Sequence, residues 1–257
     1  MLNLVNTYTP LEVFPDIYII AGTPFLYLAD IETVVCGDLH IGELAHVTNR
    51  GISKPIFKDD TLKPALNALQ QIDGIVNFSQ IIFNGDIKHQ TRGTNSVEQD
   101  QLQDFFQHEL ISSKSCILIK GNHDPYLELS LRLIPENCSI ANEVNKSRYF
   151  IHHGHQLLEN ESAEVIILSH EHPAFMMKGN NFENVRVPAF VTLYASTKQF
   201  VIILPSASAL PSGVPFPPRQ KRQFMSPFLK TYGDLGTLTL YPFDPSIGSF
   251  IYPIQRK

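Results

Sequence analysis

Short apolar runs separated by polar stretches recur along this chain, and two of the intervening stretches carry apolar residues at helical spacing. The runs with the length and composition of buried strands are 33–37, 78–83, 116–119, 149–151 and 165–168. Residues 60–71 and 96–112 predict amphipathic helices. Alternation of strand and helix in the first half predicts a largely parallel sheet with helices outside it. The second half lacks long helical patterns, and we expect its strands to pair in a more antiparallel way than those of the first half.

Proline and glycine interrupt the apolar pattern in the first 28 residues and again over residues 205–235. Pro10 and Pro15 predict an irregular segment over residues 1–16. Residues 18–28 carry two apolar runs around a Gly-Thr-Pro turn and predict a hairpin. Residues 205–235 are rich in proline, serine and glycine, and they predict a loop excursion or a lid.

Composition restricts the class of protein. The 257 residues, 43% of them hydrophobic, suffice for one domain over 1–257, with core motifs at 33–175. The net charge of −5 argues against an indiscriminate nucleic-acid binder, although bound divalent cations reverse the local sign at a site. Three cysteines without Cys-x-x-Cys spacing predict a reducing cytoplasm. No apolar run approaches the roughly 20 residues of a membrane span, so we expect no membrane partner.

Five of the predicted strands run directly into short blocks of metal-competent residues. The blocks are Gly-Asp-Leu-His (37–40), Asn-Gly-Asp (84–86), Gly-Asn-His-Asp (121–124), His-His-Gly-His (152–155) and Ser-His-Glu-His (169–172). Ligands collect outside the carboxyl ends of strands in sheets of this type, so we expect the blocks to converge. Asp38 and His40 are two residues apart and, on an extended chain, point to the same side. Carboxylates beside imidazoles suit a divalent transition metal.

The order and spacing of these blocks resemble the calcineurin-like metallophosphoesterase superfamily. Its pattern is D-x-H, G-D, G-N-H-D/E, a histidine next to glycine, and G-H-x-H, and the match covers roughly residues 33–175. The wider contexts GDLHIG and GDIKH, and HEHP followed by VRVPAF, resemble the branch of SbcD-related and DNA-ligase-associated phosphoesterases. The resemblance implies an α/β fold, a four-layer α-β-β-α sandwich of two mixed sheets flanked by helices.

The resemblance also implies two divalent metal ions that share one carboxylate. One metal would be held by Asp38, His40, Asp86 and His172, and the other by Asp86, Asn122, His153 and His170. His152 remains an alternative to His153. Mn²⁺ is the favoured metal, and Fe, Zn, Ni or Co also suit these ligands. Ser169 stands where the superfamily commonly has glycine, and we expect ligation to survive because serine is small.

Catalytic roles follow from the same resemblance. A metal-bridging hydroxide would be the nucleophile of an in-line displacement at phosphorus. His123 would lie by the phosphate oxygens, and Asp124 would accept from its ring N–H. His155 and His89 are candidate substrate contacts, and for His89 a solvated loop is an equal alternative.

The branch resemblance implies a phosphodiesterase or nuclease acting on nucleic acid, with DNA as candidate substrate and DNA-repair proteins as candidate partners. The alternatives are a phosphomonoesterase or nucleotide phosphatase on the same metals, or a non-catalytic binding module. After Asp86 the chain reads Ile-Lys-His-Gln, which lacks the arginine of Ser/Thr protein phosphatases and counts against that activity. The oligomeric state is left open.

Overall fold

The computed structural model describes two β-sheets packed face to face, with helices on their outer faces. The described residues are 8–43, 63–93, 96–130, 136–157, 162–178, 184–208, 213–244, 249–250 and 253–255.

The first sheet contains seven described strands in chain order. They are β1 (Pro10–Phe14), β2 (Ile17–Ile20), β3 (Leu26–Leu28), β4 (Thr33–Gly37), β5 (Gln80–Asn84), β6 (Ser115–Ile119) and β7 (Cys138–Ala141). Strands β1 to β4 pair antiparallel, and β4 to β7 pair parallel. The irregular segment predicted over 1–16 is wrong for β1. Proline is tolerated at the first residue of an edge strand, which is the position of Pro10.

The second sheet is mixed and contains ten described strands. They are β8 (Glu143–Lys146), β9 (Tyr149–His152), β10 (Val165–Leu168), β11 (Pro173–Lys178), β12 (Asn184–Tyr194), β13 (Phe200–Ile203), β14 (Val214–Phe216), β15 (Thr239–Asp244), β16 (Ser249–Phe250) and β17 (Ile254–Gln255). The main order is β14-β11-β12-β13-β10-β9-β8, and β15 pairs with β12, β16 and β17. Most of its described pairings are antiparallel, which confirms the more antiparallel second half. Its centre, β9-β10-β13, is parallel.

The described helices are short. They are α1 (Lys63–Asp73), α2 (Ser96–Gln107), α3 (Glu109–Ser112), α4 (Leu127–Ser130) and α5 (Pro227–Tyr232). The single helix predicted over 96–112 is divided at His108, whose Nδ1 accepts a hydrogen bond from the N–H of Leu110 and begins a new helix. The predicted start of α1 lies outside the described residues. None of the described helices combines the length and the hydropathy that crossing a bilayer requires.

Alternation along the strands divides the apolar core into three layers. Phe83 packs edge-on against Phe105 and Phe106 of α2 on the outer face of the first sheet. Its neighbour Ile82 points to the opposite face and joins the cluster that fills the space between the two sheets. A third cluster lies outside the second sheet and includes Phe228 of α5. The sequence of layers is helix, sheet, sheet, helix, which confirms the predicted sandwich.

The described part of 205–235 is folded and packed, so the predicted loop or lid is wrong there. It contains β14, which pairs with β11, and α5. Phe224 and Leu229 are buried in the outer cluster. Ser226 caps α5 and Pro227 occupies its first turn, where a missing N–H costs nothing. The same residues that suggest a loop therefore begin regular elements here.

Candidate metal centre

The loops that follow β4 and β5 run side by side at the carboxyl edge of the first sheet. The two strands pair in parallel up to Gly37 and Asn84. Beyond them, the N–H of Asp38 donates to the carbonyl of Gly85 at 3.1 Å. The N–H of His40 donates to the carbonyl of Asp86 at 2.9 Å. Two carboxylates therefore enter the site from adjacent loops.

The second sheet delivers histidines to the same place. β9 and β10 are parallel neighbours, and the blocks containing His153, His170 and His172 follow them directly. The N–H of His170 donates to Oδ2 of Asp38 at 3.1 Å, and Nε2 of His153 lies 3.0 Å from Oδ1 of Asp38. The site is thus built where the edges of the two sheets meet.

Five residues of these blocks have left-handed backbone, a region that side chains other than glycine rarely adopt. The φ angles are 54° at Asp38, 46° at His40, 46° at Asp86, 69° at His170 and 44° at His172. The extended geometry expected for Asp38 and His40 is therefore wrong, although both side chains reach the site. Each chain turns sharply as it leaves its strand, and hydrogen bonds between the loops hold the turned backbone.

One cluster of potential ligand atoms consists of Asp38, His40, Asp86 and His172, all within 4.8 Å of one another. Nε2 of His40 lies 3.4 Å from Nε2 of His172 and 3.8 Å from Oδ2 of Asp86. Nε2 of His172 lies 3.4 Å from Oδ1 of Asp38. Ligand atoms that each lie about 2.0–2.2 Å from one cation are about 3–3.5 Å apart, so this set fits a metal.

A second cluster consists of Asp86, His153 and His170, again within 4.8 Å. Nε2 of His153 lies 3.5 Å from Oδ2 of Asp86. Asp86 belongs to both clusters, and it is 2% exposed. A buried carboxylate between two groups of imidazoles is the arrangement that lets its two oxygens reach two cations.

Two glycines of the blocks are required by close approach. A Cβ on Gly121 would lie 2.1 Å from Oδ1 of Asp86. A Cβ on Gly85, whose φ is +81°, would lie 2.2 Å from Cδ2 of His153. The missing side chain of Gly121 leaves space for the carboxylate of Asp86, and that of Gly85 leaves space for the ring of His153.

His153 is the histidine of its pair that faces the clusters. Its ring contacts Asp38 and Asp86 and is fully buried. Nδ1 of His152 instead accepts from the N–H of Gly154 at 2.8 Å. The structure thus places His153, and not His152, where the sequence left the choice open.

The charges of the centre are strongly coupled. Burial opposes ionisation of Asp38, but the neighbouring His172 and His153 outweigh it and hold the pKa of Asp38 well below its usual range. Burial disfavours the charged form of His172, yet Asp38 raises the pKa of His172 to about 9. Burial raises the pKa of Asp86 to about 6, and the charge of Asp38 acts in the same direction. With its pKa raised, His172 would have to lose its proton before its Nε2 could bind a cation.

A family model described as calcineurin-like phosphoesterase matches residues 31–195, which contain every block of the centre. The chain belongs to this family. It is therefore a metal-dependent phosphoester hydrolase. Among solved structures, the chain is similar to a nuclease MPE of Pseudomonas putida, with a TM-score of 0.63 and 18% identity over 96% of this chain and 100% of that one. This likeness shows the fold. No curated protein matches the chain.

In this phosphoesterase, the loop after β6 places His123 beside the centre. Nε2 of His123 lies 4.0 Å from Oδ2 of Asp86, and its backbone N–H donates to Oδ1 of Asp86 at 2.8 Å. Its Nδ1 lies 2.6 Å from the carbonyl of His89. A carbonyl only accepts, so Nδ1 carries a proton and Nε2 faces the centre. The neighbouring Asn122 is exposed.

Asp124 was predicted to accept a hydrogen bond from the ring of His123, and this prediction is wrong. Its carboxylate is fully buried and accepts from the N–H groups of Ile87, Lys88 and Gly121 at 2.9–3.1 Å. Asp124 therefore joins the loop after β5 to the loop after β6. The carbonyl of His89, in place of Asp124, accepts the hydrogen bond from Nδ1 of His123. Burial raises the pKa of Asp124.

The two predicted substrate contacts lie in different places. His89 and His40 form a group with His123 at the margin of the first cluster, with the rings of His89 and His123 5.7 Å apart. His155 instead lies against His153, with their Nδ1 atoms 3.0 Å apart. If Nε2 of His153 were to bind a cation, its Nδ1 would carry the proton and donate a hydrogen bond to Nδ1 of His155, so this contact would orient the ring.

The substitution of serine for the family's glycine at position 169 is explained by Gly37. A Cβ on Gly37 would lie 2.0 Å from Oγ of Ser169, so the serine fills the space that this glycine leaves. The buried Oγ has no hydrogen-bond partner among the described residues.

Two supporting residues carry no signal in the sequence. Glu171, between two histidines of the centre, is buried and accepts from the N–H groups of Met225 at 3.0 Å and Ser226 at 2.6 Å. Oγ of Ser206 donates to the carbonyl of Asp38 at 2.9 Å. Both contacts join the centre to segments more than 50 residues away, which local patterns do not reveal.

Proposed function

We propose that this chain is a two-metal phosphodiesterase that cleaves nucleic acid. The observation that carries the proposal is the pair of adjacent His/carboxylate clusters that share the buried Asp86. Such a pair suits two divalent cations, and two cations suit displacement at phosphorus. The Pseudomonas putida protein of the same fold is a nuclease, which supports nucleic acid as substrate.

We assign the ligands as the geometry groups them. Asp38, His40, Asp86 and His172 would hold one cation, and Asp86, His153 and His170 the other. The resemblance adds Asn122 to the second set, and its place as a ligand rests on that resemblance alone, because Asn122 is exposed. When bound, the cations supply electrostatic stabilisation of the phosphoryl oxygens and lower the pKa of water. Imidazole and carboxylate ligands favour Mn²⁺, Fe, Zn, Ni or Co over Mg²⁺ or Ca²⁺. Mn²⁺, a cytoplasmic location and a role in DNA repair stay predictions.

His123 is the proposed catalytic residue that does not bind metal. The carbonyl of His89 fixes its Nδ1 proton, so Nε2 is the atom that meets the substrate. Nε2 would hold a proton for the leaving oxygen or donate to a phosphoryl oxygen. Asp124 supports it indirectly, by fixing the loops that carry His123 and Asp86.

The first test compares bis-p-nitrophenyl phosphate with p-nitrophenyl phosphate. The protein is stripped of metal and then reconstituted with Mn²⁺, Zn²⁺, Ni²⁺, Co²⁺ or Fe²⁺. We expect turnover only after reconstitution, with higher kcat/KM for the diester. Preference for the monoester would identify a phosphatase, and no turnover with any metal would support the binding-module alternative.

Two variants separate metal binding from catalysis. Asp86→Asn should lose activity and most bound metal, because Asp86 belongs to both clusters. His123→Gln should keep its metals and lose about 10²–10⁴-fold in kcat. The exposed His108→Gln is the matched control and should behave as wild type. Full activity of Asp86→Asn would contradict the mechanism. Cleavage of labelled oligonucleotides then tests the nucleic-acid assignment.

A further inference from the structure

A cleft of about 710 Å³ lies beside the metal centre. His172 forms part of its wall, so the cleft opens onto the first cluster. The other described lining residues come from the segment before β1, the turn between β2 and β3, α1, β11 and β12, the segments after β13 and before β14, and β15. They include Asn67, Arg186, Ser206, Ala207 and Asp244.

The cleft is tied to the centre by hydrogen bonds. On one side, Oγ of Ser206 donates to the carbonyl of Asp38, and the N–H of Ala207 donates to the carbonyl of Gly37 at 2.9 Å. On the other side, the N–H of Val214 donates to the carbonyl of His172 at 2.7 Å. These bonds fix the position of the cleft wall relative to the candidate metal ligands, so a group bound in the cleft has a defined position beside them.

The chemistry of the lining restricts what the cleft binds. Apart from His172, its charged residues are Arg186 and Asp244, and the other side chains are small, apolar or uncharged. A stretch of phosphate backbone needs several cations along its path, and among the described lining residues Arg186 alone is a permanent cation. Pockets of about 300–1,000 Å³ lined by apolar residues with a few polar groups suit a compact organic group. Such a group is the nucleoside of a nucleotide.

Arg186 adds one cation at the wall. It is exposed, and its guanidinium donates to the carbonyl of Gly213 at 3.3 Å, which holds the side chain against the segment before β14. One guanidinium is suited to one phosphate. The cleft thus has space for one nucleoside, and Arg186 provides one positive charge for the phosphate beyond that nucleoside.

We propose that this cleft binds the unpaired nucleoside that adjoins the scissile phosphate, and that Arg186 binds the next phosphate of the strand. The inference rests on the proposed function and deepens it. A base held in this cleft is withdrawn from pairing, so the substrate is unpaired next to the cleaved bond. The cleft then makes the enzyme prefer nucleoside esters to simple aryl diesters.

Three substrates test the cleft on the reconstituted enzyme. Bis-p-nitrophenyl phosphate has no nucleoside, the 3′- and 5′-p-nitrophenyl esters of thymidine monophosphate have one nucleoside, and a decathymidylate has further phosphates. Asn67→Trp narrows the cleft from an exposed position, so the core is not disturbed. It should raise KM about tenfold for one thymidine ester and the oligonucleotide, and less than about twofold for the aryl diester.

Arg186→Ala should raise KM for the oligonucleotide about tenfold and reduce its salt dependence, while both thymidine esters are unaffected. Lys146→Ala is the matched control, because it removes a cation from β8 at the opposite edge of the second sheet.

The outcomes separate this inference from the proposed function. No hydrolysis of any of the three substrates by wild type, with any of the metals, would overturn the proposed function. Hydrolysis of the aryl diester, combined with no preference of wild type for either thymidine ester, would overturn the cleft alone. An equal effect of Asn67→Trp on all substrates, or none on any, would also overturn it.

Discussion

At the scale of single residues, the centre depends on backbone conformations that the amino acids themselves disfavour. Asp38, His40, Asp86, His170 and His172 all have positive φ angles. Non-glycine residues in such regions cost about 1–3 kcal/mol and persist where surrounding structure holds them. For Asp38, His40 and Asp86 the holding structure is the pair of loops after β4 and β5, and the loop of His170 and His172 is held by hydrogen bonds to Asp38 and Val214.

Gly85→Ala tests whether close approach is required. The added Cβ would lie 2.2 Å from the ring of His153, so we expect lower metal content and a loss of about 1–3 kcal/mol in the free energy of unfolding. Gly93→Ala is the matched control, because Gly93 also has positive φ but no atom within 4 Å of its Cβ position. Urea unfolding and metal analysis measure the difference. Equal effects of the two substitutions would mean that backbone strain alone matters.

Metal affinity should rise with pH. The pKa of His172 in the metal-free protein is raised to about 9, so below this pH the ring is protonated and binding must release that proton. We expect the apparent affinity to increase about tenfold per pH unit between pH 7 and 9. Calorimetry in two buffers with different ionisation enthalpies measures the protons released. His108→Gln should not change the slope, and an affinity independent of pH would contradict this charge assignment.

At the scale of elements, buried carboxylates fix the loops that carry the centre. Asp124 accepts three backbone N–H groups from the loops after β5 and β6. Glu171 accepts two from the segment that leads into α5. Beyond the ends of the strands these carboxylates accept the backbone N–H groups that strand pairing no longer satisfies. The loops therefore have defined positions despite their irregular shape.

Asp124→Asn should destabilise the fold by about 1–3 kcal/mol, because an amide N–H₂ would face backbone N–H donors that lose their acceptor. The effect should extend to kcat, since the loops position Asp86 and His123. Asp104→Asn, on the exposed face of α2, is the matched control and should be neutral. Unfolding by urea beside steady-state kinetics distinguishes the two. Wild-type stability in Asp124→Asn would show that these bonds are not required.

At the scale of the whole molecule, the centre joins the two sheets. The loops of the first sheet contribute Asp38, His40 and Asp86, and those of the second contribute His153, His170 and His172. Between the sheets lies an apolar cluster that includes Val35, Ile82 and Ile167. Cations bound at this junction would link the sheets beyond what apolar packing provides.

Removal of metal should therefore lower the melting temperature of the protein. A ligand at a thousand times its Kd stabilises the folded state by about 4 kcal/mol. We expect EDTA to lower Tm by several degrees and metal to restore it, as measured by scanning calorimetry. Asp86→Asn should show no response to EDTA. An unchanged Tm in the wild type would mean that the metals do not link the sheets.

Local information in the sequence determined much of this protein. Short apolar runs located β4, β5, β6, β9 and β10, and the blocks that follow them located the candidate ligands. Both follow from side-chain periodicity and chemistry within a few residues. The prediction of irregular structure around prolines was wrong at Pro10 and Pro227. Proline can begin a strand or a helix as well as interrupt one, and these two residues begin β1 and α5.

The tertiary structure alone decided how those residues meet. It placed His153 and not His152 at the centre, turned the backbone of Asp38 and His40 to the left-handed region, and gave Asp124 three backbone partners in place of His123. It also formed the cleft beside His172 from segments far apart in the chain. Each of these depends on contacts between strands and loops that are distant in sequence, and such contacts exist only when the two sheets have packed.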